Sequence, residues 1–154
     1  MKVIGKVNLK ELYEIDDYLW IQETVKLLKE KKFNQLDLEN LIEELDDLGR
    51  ERKNKVESLL EQIIKHLLLL EYWESEYEFN SAHWEAEITA FRTQLRKSLT
   101  TNLYNHLQQE LISIYQDALK YVKRKSRLNT FPNQCPYTLE QLLDENWFPS
   151  INNN

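Results

Sequence analysis

Three histidines, His66, His83 and His106, are the side chains of this sequence best suited to hold a metal. Imidazoles projecting from separate helices can converge inside a bundle and bind a transition ion, and each of the three falls on a different helical pattern. His66 lies three residues after Ile63 and seven after Leu59, on an apolar stripe, while His83 stands where a helix starts. The spacings nevertheless match no helical metal motif: there is no His-Glu-x-x-His, no His-x-x-x-His and no Glu-x-x-His. A histidine hydrogen-bonded beside a core explains each position without a metal, and no cofactor is expected.

Carboxylates and the thiol carry less. Glu39, Glu43, Glu44, Asp46 and Asp47 form an acidic row with members one helical turn apart. Acid–base catalysis needs two carboxyls in unlike environments, which a single solvated helix face does not supply. A helix N-terminus that favours negative charge, and salt bridges to Arg50, Lys53 or Arg92, account for the row. Cys135 sits between Gln134 and Pro136 in an extended segment with no local motif naming a histidine partner, so its expected role is packing. Helical ribonucleases of toxin type would need an Arg followed within a few residues by a His, and neither Arg92 nor Arg96 has one. Gly5 and Gly49 are the only glycines, too few for a phosphate-cradling loop or a nucleophile elbow, which excludes Rossmann, P-loop and α/β-hydrolase chemistries. No catalytic residue is assigned, and an enzyme is not the expectation.

Two clusters point to binding. Lys120, Lys123, Arg124, Lys125 and Arg127, with Tyr121 interleaved, could meet phosphates. The same cations also suit a helix C-terminus. Tyr72, Tyr77 and Phe79, with Trp73 and Trp84, bracket the acidic connection Glu71 to Glu78 and would form a recognition surface if exposed.

These residues are carried by helical patterns. Apolar positions at helical spacing run from about Glu14 to Lys32, with Ile15, Leu19, Val25 and Leu28 on one face and Trp20 and Leu27 widening it. A second pattern runs from Leu38 to about Trp73 and is interrupted at Gly49, where a bend is expected rather than a loop. A third starts after Asn80-Ser81 and a fourth spans about Asn102 to Lys125. Beyond them Phe131 to Tyr137 is extended by two prolines. Thr138 and Gln141 then form a capping box, with Tyr137 and Leu142 as its hydrophobic staple. Trp147 and Phe148 read as anchors for this arm. The expected fold is an all-α antiparallel bundle of about four helices with a C-terminal extended arm and short helix. Residues 1–154 are read as one helical domain, loosely ordered at 1–12 and 150–154.

At 154 residues, 18.7 kDa and 42% hydrophobic, the chain is long enough to bury a core without staples. A net charge of −6 disfavours non-specific nucleic-acid binding. One cysteine permits no internal disulfide, which suits a reducing compartment. No run approaches the ~20 apolar residues that span a bilayer, and the opening Met1-Lys2-Val3-Ile4-Gly5-Lys6 is not read as a signal peptide. The expectation is a cytoplasmic protein with no membrane contact.

Several strings together resemble one family: Leu12-Tyr13-Glu14, Asp16-Asp17-Tyr18-Leu19-Trp20, Leu36-Asp37-Leu38 through Leu45 and on to Leu48-Gly49-Arg50, His66-Leu67-Leu68-Leu69-Leu70, and Tyr72-Trp73. His83-Trp84, Glu87-Ile88, Phe91-Arg92, Cys135-Pro136-Tyr137-Thr138-Leu139 and Trp147-Phe148-Pro149 complete the set. The chain resembles the bacterial, largely cyanobacterial family called domain of unknown function 29, over nearly its whole length. The resemblance implies a small all-helical protein of uncharacterised activity and carries over no catalytic residue. The function expected is therefore a non-enzymatic protein–protein interaction module, binding an unknown protein or a further copy of itself. The alternatives are a nucleic-acid-linked or antitoxin-like regulator and a metal-dependent bundle enzyme using the histidines.

Overall fold

The structure, a computed structural model, describes residues 8–151. The loose order expected at 1–7 and 152–154 lies outside the described residues. Six α-helices follow one another: α1 (Leu9–Ile15), α2 (Asp17–Lys29), α3 (Leu38–Tyr72), α4 (Tyr77–Ser98), α5 (Thr101–Ser126) and α6 (Leu139–Leu143), with 3-10 turns at Phe33–Gln35 and Glu74–Glu76. The fold is all-α, with no strand among the described residues. The four longer helices, α2 to α5, correspond to the four expected. Two compact units divide the chain, Met1–Arg50 and Glu51–Asn154, and α3 begins in the first and ends in the second.

The first unit departs from its sequence pattern at Asp16. One helix was expected from Glu14 onward, and α1 already begins at Leu9, inside the stretch 1–12 expected to be loose. Asp16 separates α1 from α2 because it serves both: its backbone N–H donates to the Leu12 carbonyl at 2.8 Å, and its carboxylate accepts the Leu19 N–H at 3.0 Å. Trp20 and Leu12 are buried, with Tyr13 edge-on to Trp20 at 4.9 Å. The Trp20 indole N–H donates to Asp37 at 3.2 Å, the Tyr13 hydroxyl to Glu44 at 2.6 Å, and Lys10 to Glu39 at 2.9 Å. The acceptor Glu44 holds the Tyr13 phenol up at about 12.

The second unit is a bundle built on the C-terminal half of α3. Leu67, Leu68, Leu69 and Leu70 are all buried, so this helix is enclosed on every side. Trp84, Ile88 and Leu95 from α4, and Leu107, Ile114, Ala118 and Val122 from α5, complete its core. The two-residue connection after Ser98 makes α4 and α5 an antiparallel pair, and the Thr100 hydroxyl caps α5 by accepting the Leu103 N–H at 3.2 Å. Helix α4 begins at Tyr77, ahead of the start expected after Ser81, since no residue from Tyr77 to Ser81 opposes helix formation. Helix α3 runs unbroken through Gly49.

Candidate functional site

Arg92 sits on the buried face of α4 and is 2% exposed. Its guanidinium donates from Nε to the Leu142 carbonyl at 2.8 Å, from Nη1 to the Trp147 carbonyl at 2.7 Å and from Nη2 to the Gln141 carbonyl at 3.0 Å. Two of these carbonyls end α6, where backbone acceptors have no helical partner. A planar fork of donors is the side chain that can serve all three. Phe148 covers the guanidinium at 5.2 Å, and burial lowers its pKa to about 10, leaving it charged at neutral pH. Arg92 therefore bridges no carboxylate of the acidic row. It clamps the arm, and Arg96 adds an exposed ion pair to Glu145.

The rest of the arm is docked by tyrosines. Tyr137 is buried, donates to Glu71 at 3.1 Å and meets Trp147 edge-on at 5.6 Å. Tyr115 donates to the Pro132 carbonyl. Desolvation raises both phenols. The Thr138–Gln141 capping box forms with both of its hydrogen bonds. Cys135 donates weakly to the Tyr137 carbonyl at 3.4 Å, and burial pushes its thiol up, away from thiolate chemistry.

The histidines do not meet as ligands. His66 Nδ1–H donates to the Gln62 carbonyl at 2.6 Å beside Phe91, His83 is exposed, and His106 Nε2 faces Glu57 at 3.4 Å. Among the described residues no group of three or more His, Cys, Asp or Glu side chains could hold a metal ion. His66 and His106 instead each belong to a helix contact of their own, and His83 faces outward.

The binding candidates separate as well. Phe79 is 82% exposed, whereas Tyr72 and Tyr77 pack against the core, Tyr72 edge-on to Phe131 at 5.9 Å. Burial lifts the Tyr72 phenol to about 12. Trp73 and Trp84 stack at 6.0 Å, so the aromatic connection is mostly core, with Phe79 left outside. Of the basic cluster, Lys120, Arg124, Lys125 and Arg127 are exposed and Lys123 is half-buried. Lys125 and the buried Lys65 both approach the Tyr121 ring, at 5.7 and 4.2 Å. Arg127 ends α5 in the left-handed region, its N–H donating to the Lys123 carbonyl at 2.9 Å.

The surface that sequence reasoning missed is in the first unit. Ile15, Val25 and Leu28, expected to face a core, are exposed; Trp20 and Thr24 take the buried side of α2 instead. Tyr18, Ile21, Val25 and Leu28 form one exposed apolar stripe on α2, and Leu38, Ile42, Leu45 and Leu48 form a second on α3. Lys26 and Lys29 border the groove on the α2 stripe, while Glu39, Glu43 and Asp46 border the α3 stripe. No spacing signal marked this exposure, because the apolar period is the same on a covered and on an uncovered helix face.

Taken together, an all-α bundle and an arm clamped by one buried arginine define a helical domain. Residues 12–148 match the family described as Domain of unknown function DUF29, and the chain belongs to that family. The match begins at Leu12, buried in the first unit, and ends at Phe148, the cover of Arg92. A crystal structure of an alpha-helical protein of unknown function from Rhodospirillum rubrum is similar, with a TM-score of 0.64 and 22% identity over 88% of this chain and 90% of that one. That likeness concerns the fold. Among curated proteins none matches the chain. No helix among the described residues is long and apolar enough to cross a membrane.

Proposed function

We propose that this protein is a non-enzymatic protein–protein interaction module of the bacterial cytoplasm, and that its contact surface is the pair of apolar stripes on α2 and the N-terminal part of α3. The observation that carries the reading is a concentration of exposed large hydrophobic side chains. Of the thirteen found among the described residues, ten lie between Ile15 and Leu48. Scattered exposed hydrophobics are ordinary on a soluble surface, but contiguous apolar patches mark sites of association. Phe79 offers a smaller, separate contact point on α4.

The test is gentle recovery of the protein from its own cell, with mass spectrometry of whatever accompanies it. A stoichiometric protein, lost when Ile42→Glu removes the α3 stripe, supports the reading. Recovery of the chain as a lone monomer, or with nucleic acid or metal in place of protein, overturns it.

A further inference from the structure

We infer that the occupant of these stripes is a second copy of the same chain, the α2 stripe of each copy lying against the α3 stripe of the other about a two-fold axis. The inference deepens the interaction reading and rests on it. Two features of the surface select a second copy.

The first is charge. A two-fold interface must be self-complementary, each patch meeting its counterpart on the partner. The α2 stripe is bordered by Lys26 and Lys29, with Glu30 at its end paired to Lys32, and the α3 stripe by Glu43 and Asp46. Among the described residues none of Lys26, Lys29, Glu43 and Asp46 forms an ion pair. Laying α2 on the partner's α3 sets the basic border against the acidic one, and the two-fold axis repeats the match. Pairing like stripe with like would instead oppose like charges.

The second is area. The eight stripe residues are between 40% and 67% exposed. With each mostly aliphatic side chain offering about 170 Å² in total, they present at most roughly 700 Å² per copy, close to the ~800 Å² each partner contributes to an interface of standard size. A second copy brings a surface of that same extent and apolar character.

Sedimentation equilibrium of the purified full-length chain at about 50 µM and moderate salt measures the mass directly. The expected result is twice 18.7 kDa, a return to single mass for Leu45→Glu with unchanged helical circular dichroism, and weaker dimerisation at high salt. Lys29→Glu and Asp46→Lys should each weaken the dimer about ten-fold, and the double variant should restore most of it. A monomer at this concentration overturns the inference, and so does a dimer indifferent to Leu45→Glu. If that monomer still captures a stoichiometric partner through Ile42, the interaction reading stands while the second copy falls. If it captures none, both fail.

Discussion

The two units treat the same kind of residue in opposite ways. In the second, Val56, Leu60, Ile63, Ile64, Leu67 and Leu68 of α3 are fully buried; in the first, Leu38, Ile42, Leu45 and Leu48 of that same helix are exposed. One continuous helix carries both sets, each at helical spacing, so amphipathicity says where an apolar face lies and says nothing of whether anything in the chain covers it. Coverage in the second unit comes from α4, α5 and an arm on which Arg92 alone serves three backbone carbonyls.

That side chain is where the comparison breaks most easily. Arg92→Ala leaves the carbonyls of Gln141, Leu142 and Trp147 without their donor and should destabilise the second unit by about 3–4 kcal/mol. Urea unfolding followed by tryptophan fluorescence measures the loss. Arg92→Lys should recover little of it, because an ammonium cannot span three carbonyls.

Truncation of leucines on one helix sharpens the contrast. Leu67 is fully buried, and Leu67→Ala should cost about 2–5 kcal/mol. Leu45 is 59% exposed, and Leu45→Ala in dilute protein should change stability by no more than about 0.5 kcal/mol. Equal losses in paired urea titrations would mean that the first unit's stripe is covered within the chain.

A titration distinguishes the units by a different route. Desolvation lowers the His66 pKa from its ordinary 6.5, despite the hydrogen bond to Gln62. The neutral ring is favoured in the fold, so the unfolded chain takes up the proton first as pH falls. Stability is complete above about 6.5 and falls below it, by up to about 1.4 kcal/mol per pH unit, until the folded ring titrates too. His66→Gln should flatten this part of the pH profile in thermal melts.

Much of this fold could be read from the residues, for physical reasons that also mark where reading stopped. The capping box at Thr138, the α5 limits and the continuity of α3 through Gly49 are local, set by side chains within a few positions of one another. The break at Asp16 is local too, but a helix continuing through that residue satisfies the apolar period equally well. The Arg92 clamp joins residues about fifty positions apart through backbone carbonyls, which leave no mark on side-chain spacing. The family strings do carry its parts: Phe91-Arg92, Tyr137-Thr138-Leu139 and Trp147-Phe148 converge there as packing and hydrogen bonding. The exposed stripes were legible as apolar faces, but their exposure depends on which partners exist.

Gly49 stands one residue from the boundary between the units and yields the smallest effect. It adopts no left-handed conformation, and no atom lies within 4 Å of the place a Cβ would occupy. Neither backbone geometry nor close packing therefore requires glycine there. Gly49→Ala should stabilise the protein by about 0.5–1 kcal/mol, by reducing the freedom of the unfolded chain and favouring helix. Chemical denaturation reads the gain as a higher midpoint at unchanged slope. A loss of stability on introducing alanine would show that the fold uses the freedom of glycine at this position, against the open space and ordinary helical backbone found there.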